Sequence, residues 1–329
     1  MEQFTHEFPS DLRQSLEISK QNPIKLDQDK IQNIVICGMG GSGIGGMIAK
    51  DILQEHMTKP IDFCKGYDLP NYVNEQSLVI CSSYSGNTEE TLTLFDQAVA
   101  KNAQLISICS GGQLEEKSKE NNAQVILIEG GKQPRAAVGL SLVQQLHILG
   151  SLFLSAADNA ALLDNVKVTA SKLEQKREKY QKNANAIARD LHLKNIALFT
   201  DTQFPSIALR FTQQINENVK KKAHSAIIPE MNHNELVAFI DYTKMDAVIL
   251  VNTKHFNTQN TKRSEFLKQE LHKQDTQIIE INSEGDSKEE RYLKMIYMLD
   301  LVSIELAKIK GTDSEQVDII QRLKETIAK

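Results

Sequence analysis

The sequence predicts an α/β protein of two similar domains, each a parallel sheet flanked by helices. Three observations carry this. Short runs rich in Val and Ile alternate with longer amphipathic stretches, the pattern of a parallel sheet covered on both faces. A charged segment, 164–191, contains LEQKREKYQKNANAIARDL and interrupts that alternation near mid-chain. The strand-like runs of the second half then echo those of the first in the same order. A length of 329 residues suits two domains of ordinary size, placed here at 1–160 and 161–329.

The elements follow in order. The opening MEQFTHEFPS lacks the basic start and apolar core of a signal peptide. Strands are expected at Asn33–Cys37, Leu78–Cys81, Leu105–Cys109 and Val125–Ile128, with helices such as Glu89–Ala100 between them. The most apolar long stretch, Val138 to Ala157, contains Gln144, Gln145 and His147, so it reads as a buried helix rather than a membrane span. The segment 164–191 reads as one long surface helix joining the domains. Beyond it, NIALF at Asn195 echoes NIVIC at Asn33, AVILVN at Ala247 echoes LVICSS at Leu78, and QIIEINS at Gln277 echoes QLISICS at Gln104. The offsets are 162, 169 and 173 residues. Only the first copy has a glycine-rich loop after its first strand. The second has DTQFPSIALR there, with Pro205 placed to start a helix. The first copy is therefore expected to bind phosphate, and the second to supply chemistry or scaffold.

Bulk composition narrows the function classes. An apolar fraction of 40%, a charged fraction of 25% and a formal net charge of -5 describe an ordinary globular protein with no electrostatic footprint for nucleic acid or an anionic membrane. The run Lys220–Lys222 is local and reads as solvated surface. Cys37, Cys64, Cys81 and Cys109 are scattered, with no CxxC and no neighbouring His cluster. They read as small buried residues, which argues against a disulfide framework or zinc site and for a cytoplasmic compartment.

Two loops carry the chemistry. CGMGGSGIGG (37–46) lies between a strand and a helix, where glycines let the backbone approach an anion and helix-start N–H groups point at it. It meets the letters of a dinucleotide fingerprint, but the acidic ribose partner is poorly matched: Asp62 falls near the expected distance, yet FCKGYD after it is a poor match for the end of a second nucleotide-fold strand. No GK[ST] follows, so it is not a Walker A loop. After the next strand comes SSYSGNTEET (82–91), where Ser83, Ser85 and Thr88 bring three hydroxyls around one turn and Gly86 permits tight geometry. Thr88 is placed to cap the following helix, with Glu89 and Glu90 in its first turn. Hydroxyls, glycine and a helix N-terminus together suit a phosphate monoester without metal or lysine.

Strand–SYSGNTEET–helix resembles the phosphate loop of sugar isomerase (SIS) domains. Within that group the chain is similar nearly end to end to the bifunctional phosphoglucose/phosphomannose isomerase family. FPSDLRQSLEI, GMGGSGIGG, SYSGNTEET, QPRAAVGLSL, NENVK and PEMNHNELVAF follow in that family's order. The resemblance implies two SIS domains, a homodimer, no cofactor, and reversible isomerisation of glucose 6-phosphate and fructose 6-phosphate, with mannose 6-phosphate accepted by many members. It implies roles as well. Glu217 in QQINENVKK matches the base that moves a proton between C1 and C2, a task suited to a carboxylate. Taken alone, it reads as a solvated helix glutamate. His233 in PEMNHNE matches the ring-opening histidine, and in the family that histidine reaches the site from the neighbouring subunit. Arg135 in KQPRAAVG matches the arginine beside the enediolate, where a fixed guanidinium stabilises developing charge. Lys324 is placed like a C-terminal lysine that assists ring opening. Gly41, Ser42, Ser83, Ser85 and Thr88 correspond to the phosphate ligands. Val317, seven residues before Lys324, departs from a polar position associated with accepting C2 epimers.

Two other readings stand beside this one. A non-catalytic sugar-phosphate sensor would use the same loop, but usually carries a helix-turn-helix domain and has no need of Glu217 and His233. An amide or amine transferase would call for an N-terminal cysteine nucleophile, which Met1–Glu2 does not supply.

Overall fold

The computed structural model describes residues 1–327. The chain divides into two compact units. One comprises residues 3–175 with 285–293; the other comprises 1–2, 176–284 and 294 onward. Residue 160, where the sequence places the division, lies inside helix α7 (Ala156–Gln175).

The first unit opens with α1 (Glu2–His6) and α2 (Phe8–Gln21). It then alternates β1 (Asn33–Cys37), α3 (Gly40–Leu53), β2 (Ile61–Cys64), β3 (Ser77–Ser82), α4 (Glu89–Ala100), β4 (Gln104–Cys109), α5 (Gly112–Glu120) and β5 (Gln124–Leu127), and continues into α6 (Val138–Phe153) and α7. The five strands are parallel in the order β2-β1-β3-β4-β5. β3 is buried along its whole length, as a central strand covered on both faces must be. Helix α6 is buried nearly all round, and two of its polar residues find backbone partners: Gln144 Nε2 donates to Ser15 O at 2.7 Å, and His147 Nε2 lies 2.9 Å from Asn22 O. Burial holds the His147 imidazole below its ordinary pKa, favouring the neutral ring.

The second unit repeats the design. It contains α8 (Arg177–Leu191), β6 (Asn195–Asp201), α9 (Pro205–Gln214), β7 (Ala223–Ile228), β8 (Asp246–Asn252), α10 (Thr258–Lys273), β9 (Gln277–Asn282), most of α11 (Lys288–Lys310), and α12 (Asp318–Ile327). Its four strands are parallel in the order β7-β6-β8-β9, the order of β2-β1-β3-β4. The three sequence echoes therefore fall on equivalent strands, and among the described residues β5 has no counterpart. Phe199 of β6 and Phe239 stack at 6.0 Å in the core of this unit.

Three sequence expectations are corrected. The segment 164–191 is not one helix: α7 ends at Gln175 and α8 starts at Arg177, with Lys176 between them out of helical geometry. Each helix buries its own stripe, Leu162, Val166, Ala170 and Leu173 in α7 and Ala184, Ala188 and Leu191 in α8. The other two are strands that were not expected, β2 and β7. FCKGYD, read as a poor match for the end of a strand, contains the end of β2. All four cysteines are buried and free. No helix among the described residues is long and apolar enough to cross a membrane.

Candidate active site

In the first unit the carboxyl ends of β1 and β3 carry the two loops seen in the sequence, as expected where parallel strands feed helices. The loops are tied together: the Tyr84 N–H donates to Ser42 Oγ at 3.0 Å. The Tyr84 carbonyl accepts from the Ser110 N–H at 2.9 Å and its hydroxyl at 2.7 Å. Gly86 has φ +68, and a Cβ there would sit 1.7 Å from Gly111 O, so only glycine fits this turn. Asn87 Oδ1 accepts from the Gln113 N–H at 3.1 Å, which pins the turn to the start of α5.

The hydroxyls divide their tasks. Ser83 is buried and its Oγ lies 2.8 Å from Thr88 Oγ1. Thr88 does sit at the N-cap of α4, but its side chain does not cap the helix. Its hydroxyl turns to Ser83 instead, which leaves the first-turn N–H groups of α4 without a side-chain cap. Ser85 is exposed at the rim, and its Oγ accepts from the Asn87 N–H at 3.3 Å. A helix N-terminus bordered by hydroxyls and uncapped by side chains is a receptor for an anion.

Arg135 lies in the turn before α6 and is only 4% exposed, so it is not a surface arginine. That turn packs against the glycine loop. A Cβ on Gly41 would fall 2.4 Å from Pro134 O and 3.0 Å from Arg135 Cα, so glycine is what lets the two segments meet. The structure thus brings Gly41, Ser42, Ser83, Thr88 and Arg135 into one contiguous framework.

In the second unit Glu217 lies on a single π-helical turn, Ile215–Val219, that continues α9 and ends at Lys220 in the left-handed region. Such turns are uncommon and recur at functional sites. The turn is held from both sides. Arg210 and Gln214 converge on Asp300 of α11, with Arg210 Nη2 at 2.6 Å from Oδ2 and Gln214 Nε2 at 3.1 Å from Oδ1. Asn218 Nδ2 donates to Ser303 Oγ at 2.9 Å, and Lys310 Nζ donates to the Val219 and Lys220 carbonyls at 2.8 and 2.9 Å. Glu217 itself is half-buried. It lines a cleft of about 400 Å³ with Asn216, Lys220 and Val317, so Val317 stands beside it.

His233 and Lys324 do not line that cleft. His233 ends a short 3₁₀ turn, Glu230–His233, and is exposed rather than packed between Asn232 and Asn234. Its segment is braced: the Asn234 side chain bonds Glu230, and Glu235 takes His224 Nε2 at 2.8 Å and the Tyr242 hydroxyl at 3.1 Å. Burial and the Glu235 carboxylate push the Tyr242 phenol well above its ordinary range, so it remains a donor. Lys324 lies on α12, none of whose described residues is buried. Sequence reasoning singled out neither Tyr84 nor Glu235, although both lie inside the quoted motifs. Asp300 and His224 have no local signal at all.

These features define a sugar-phosphate protein built on two SIS-type units. Residues 28–155 match the family model "SIS domain", and residues 180–327 match "Bacterial phospho-glucose isomerase C-terminal SIS domain". The chain is 31% identical, over 98% of both chains, to the bifunctional phosphoglucose/phosphomannose isomerase of Caldicellulosiruptor bescii. It is 33% identical, over 93% of both, to the protein of the same name from Aquifex aeolicus. Among solved structures, the C-terminal domain of glucosamine-fructose-6-phosphate aminotransferase from Francisella tularensis shares the fold, with a TM-score of 0.73, 19% identity, and coverage of 94% of this chain and 96% of that one. The chain belongs to the bifunctional phosphoglucose/phosphomannose isomerase family.

Proposed function

We propose that the chain interconverts glucose 6-phosphate and fructose 6-phosphate through an enediolate, as a cytoplasmic homodimer. The end-to-end kinship with isomerases of that name is the observation that carries this reading. In it, the α4 N-terminus and the hydroxyls of Ser42, Ser83, Ser85 and Thr88, with the Gly41 backbone, hold the phosphate. Glu217 takes a proton from one carbon and returns it to the other, His233 and Lys324 assist ring opening, and Arg135 stabilises the enediolate oxygen.

The dimer completes the site. His233 is exposed and absent from the Glu217 cleft of its own chain, which supports delivery of His233 to the partner's Glu217. Next to His233, Val237 and Ile240 are 79% and 78% exposed, and α12 exposes Ile319, Leu323 and Ile327. Exposed apolar side chains of this kind are what a subunit interface buries. Val317 presents an apolar wall beside Glu217, so glucose 6-phosphate is expected to exceed mannose 6-phosphate as product. The test is purified protein with fructose 6-phosphate, reading the two aldose phosphates separately. Appearance of glucose 6-phosphate supports the reading; no aldose phosphate from a folded dimer overturns it.

A further inference from the structure

The first unit contains a buried charge cluster that the proposed chemistry does not use. Lys132 Nζ lies 2.8 Å from Glu7 Oε2 and 2.6 Å from Asp11 Oδ1, with side-chain exposures of 8% for Lys132 and 3% for Asp11. Both carboxylates belong to the N-terminal helical segment, whereas Lys132 is three residues before Arg135. The Lys132 backbone N–H donates to Tyr84 Oη at 2.8 Å, and Tyr84 stands between Ser83 and Ser85 in the phosphate loop. One residue therefore joins three segments: α2 through its ammonium, the phosphate loop through its amide, and the Arg135 turn through the chain. Asp11 Oδ2 is buried with no hydrogen-bond partner among the described residues. Burial pushes the Asp11 carboxyl up to about 6, with Glu7 and Glu129 adding to the rise and Lys132 opposing it. A carboxylate left half-satisfied in the interior is an uneconomical way to hold a helix, since apolar packing would serve as well. Its geometry, by contrast, fixes where the Arg135 turn begins.

We propose that Asp11 and Lys132 form a positioning strut that holds the Arg135 turn against the phosphate loop. The functional consequence rests on the reading of Arg135 as the group facing the enediolate. Loss of the strut lets the turn drift relative to bound phosphate, and misplacement by an ångström costs catalysis up to about a hundredfold. The phosphate ligands themselves stay in place, so the loss falls on turnover rather than on binding.

The experiment uses Lys132→Met and Asp11→Asn, the second keeping the shape of the carboxylate should the first fold poorly. Two readouts are taken on the dimeric protein. Hydrogen exchange at the Ala136 and Ala137 amides, which bond Gln133 O and Pro134 O in the wild-type turn, reports the strut whatever Arg135 does. It is expected to quicken by about tenfold or more while β3 and β4 amides stay protected. Steady-state kinetics with fructose 6-phosphate are expected to show kcat down by about 10–100-fold, KM within about threefold, and partial rescue in Lys132→Arg. In an Arg135→Ala background, Lys132→Met should add no further loss. Unchanged exchange at Ala136 and Ala137 overturns the strut. An undiminished loss in the Arg135→Ala background, or a rise in KM with kcat held, overturns its action through Arg135. If Arg135→Ala alone leaves kcat intact while exchange quickens, the strut stands and the role given to Arg135 falls.

Discussion

Thr88 and Ser83 bond each other, and that one contact keeps a threonine from capping its own helix. The α4 N-terminus is thereby kept open to a ligand instead of being satisfied internally. Ser85→Ala and Thr88→Ala are each expected to weaken binding of sugar phosphate by about 1–3 kcal/mol, the scale of hydrogen bonds to a charged group. Titration with inorganic phosphate and with an unphosphorylated sugar separates the effect, since only the phosphate series should respond. Asp11 supplies a second test at this scale. Its carboxyl is raised by burial from the ordinary 3.8 to about 6. Folding therefore favours the protonated form, and the stability this contributes is full below pH 3.8 and lost as pH rises through about 6. Relative to Asp11→Asn, the wild type should lose about 3 kcal/mol between pH 4 and 7.5 in urea unfolding. A difference that stays flat across this window would show that Asp11 keeps an ordinary carboxyl.

At the scale of elements, the phosphate turn depends on one backbone angle. With φ +68 and no room for a Cβ, Gly86→Ala should strain the turn by about 1–3 kcal/mol, and relieving that strain displaces Ser85. Thermal unfolding and phosphate titration should both worsen; an unchanged phosphate affinity would mean the turn is not where phosphate binds. Most elements were legible because central strands of a parallel sheet are continuous apolar runs. NIVIC, LVIC and AVIL declare themselves. The missed strands are both at a sheet edge, with one neighbour each and incompletely buried residues that break the apolar run: Asp62 and Phe63 within β2, and His224 and Ser225 within β7. The break between α7 and α8 escaped because it contains neither Gly nor Pro. α7 packs on α2 and α6 of the first unit, whereas α8 belongs to the second, and that change of unit leaves no local mark. Site motifs were legible for a different reason: their glycines and hydroxyls sit on adjacent loops at one end of the sheet. The braces around them come from distant helices, as with Asp300 for Glu217 and Asp11 for Arg135, and no local pattern announces those.

At the scale of the whole molecule the two units share a strand order but differ in their loops. One unit keeps the glycine loop and the uncapped helix, while its copy has a proline-started helix leading into the π-turn of Glu217. If the dimer shares its sites, mixing Glu217→Gln with His233→Ala under conditions that exchange subunits restores activity. Each mixed dimer then holds one site with both defects and one with neither. Random exchange makes about half the dimers mixed, so roughly a quarter of all sites should be intact. No recovery, with exchange verified by mass-tagged chains, would mean that each chain supplies its own His233. The central claim, proton transfer by Glu217 through an enediolate, is tested most directly by isomerising fructose 6-phosphate in heavy water and reading the product by NMR. The account predicts solvent deuterium at C2 of the glucose 6-phosphate formed by the wild type. In a folded Glu217→Gln protein, incorporation should slow by about a thousandfold or more. Product still free of deuterium at C2 after many reversible turnovers, or Glu217→Gln exchanging at the wild-type rate, would contradict it.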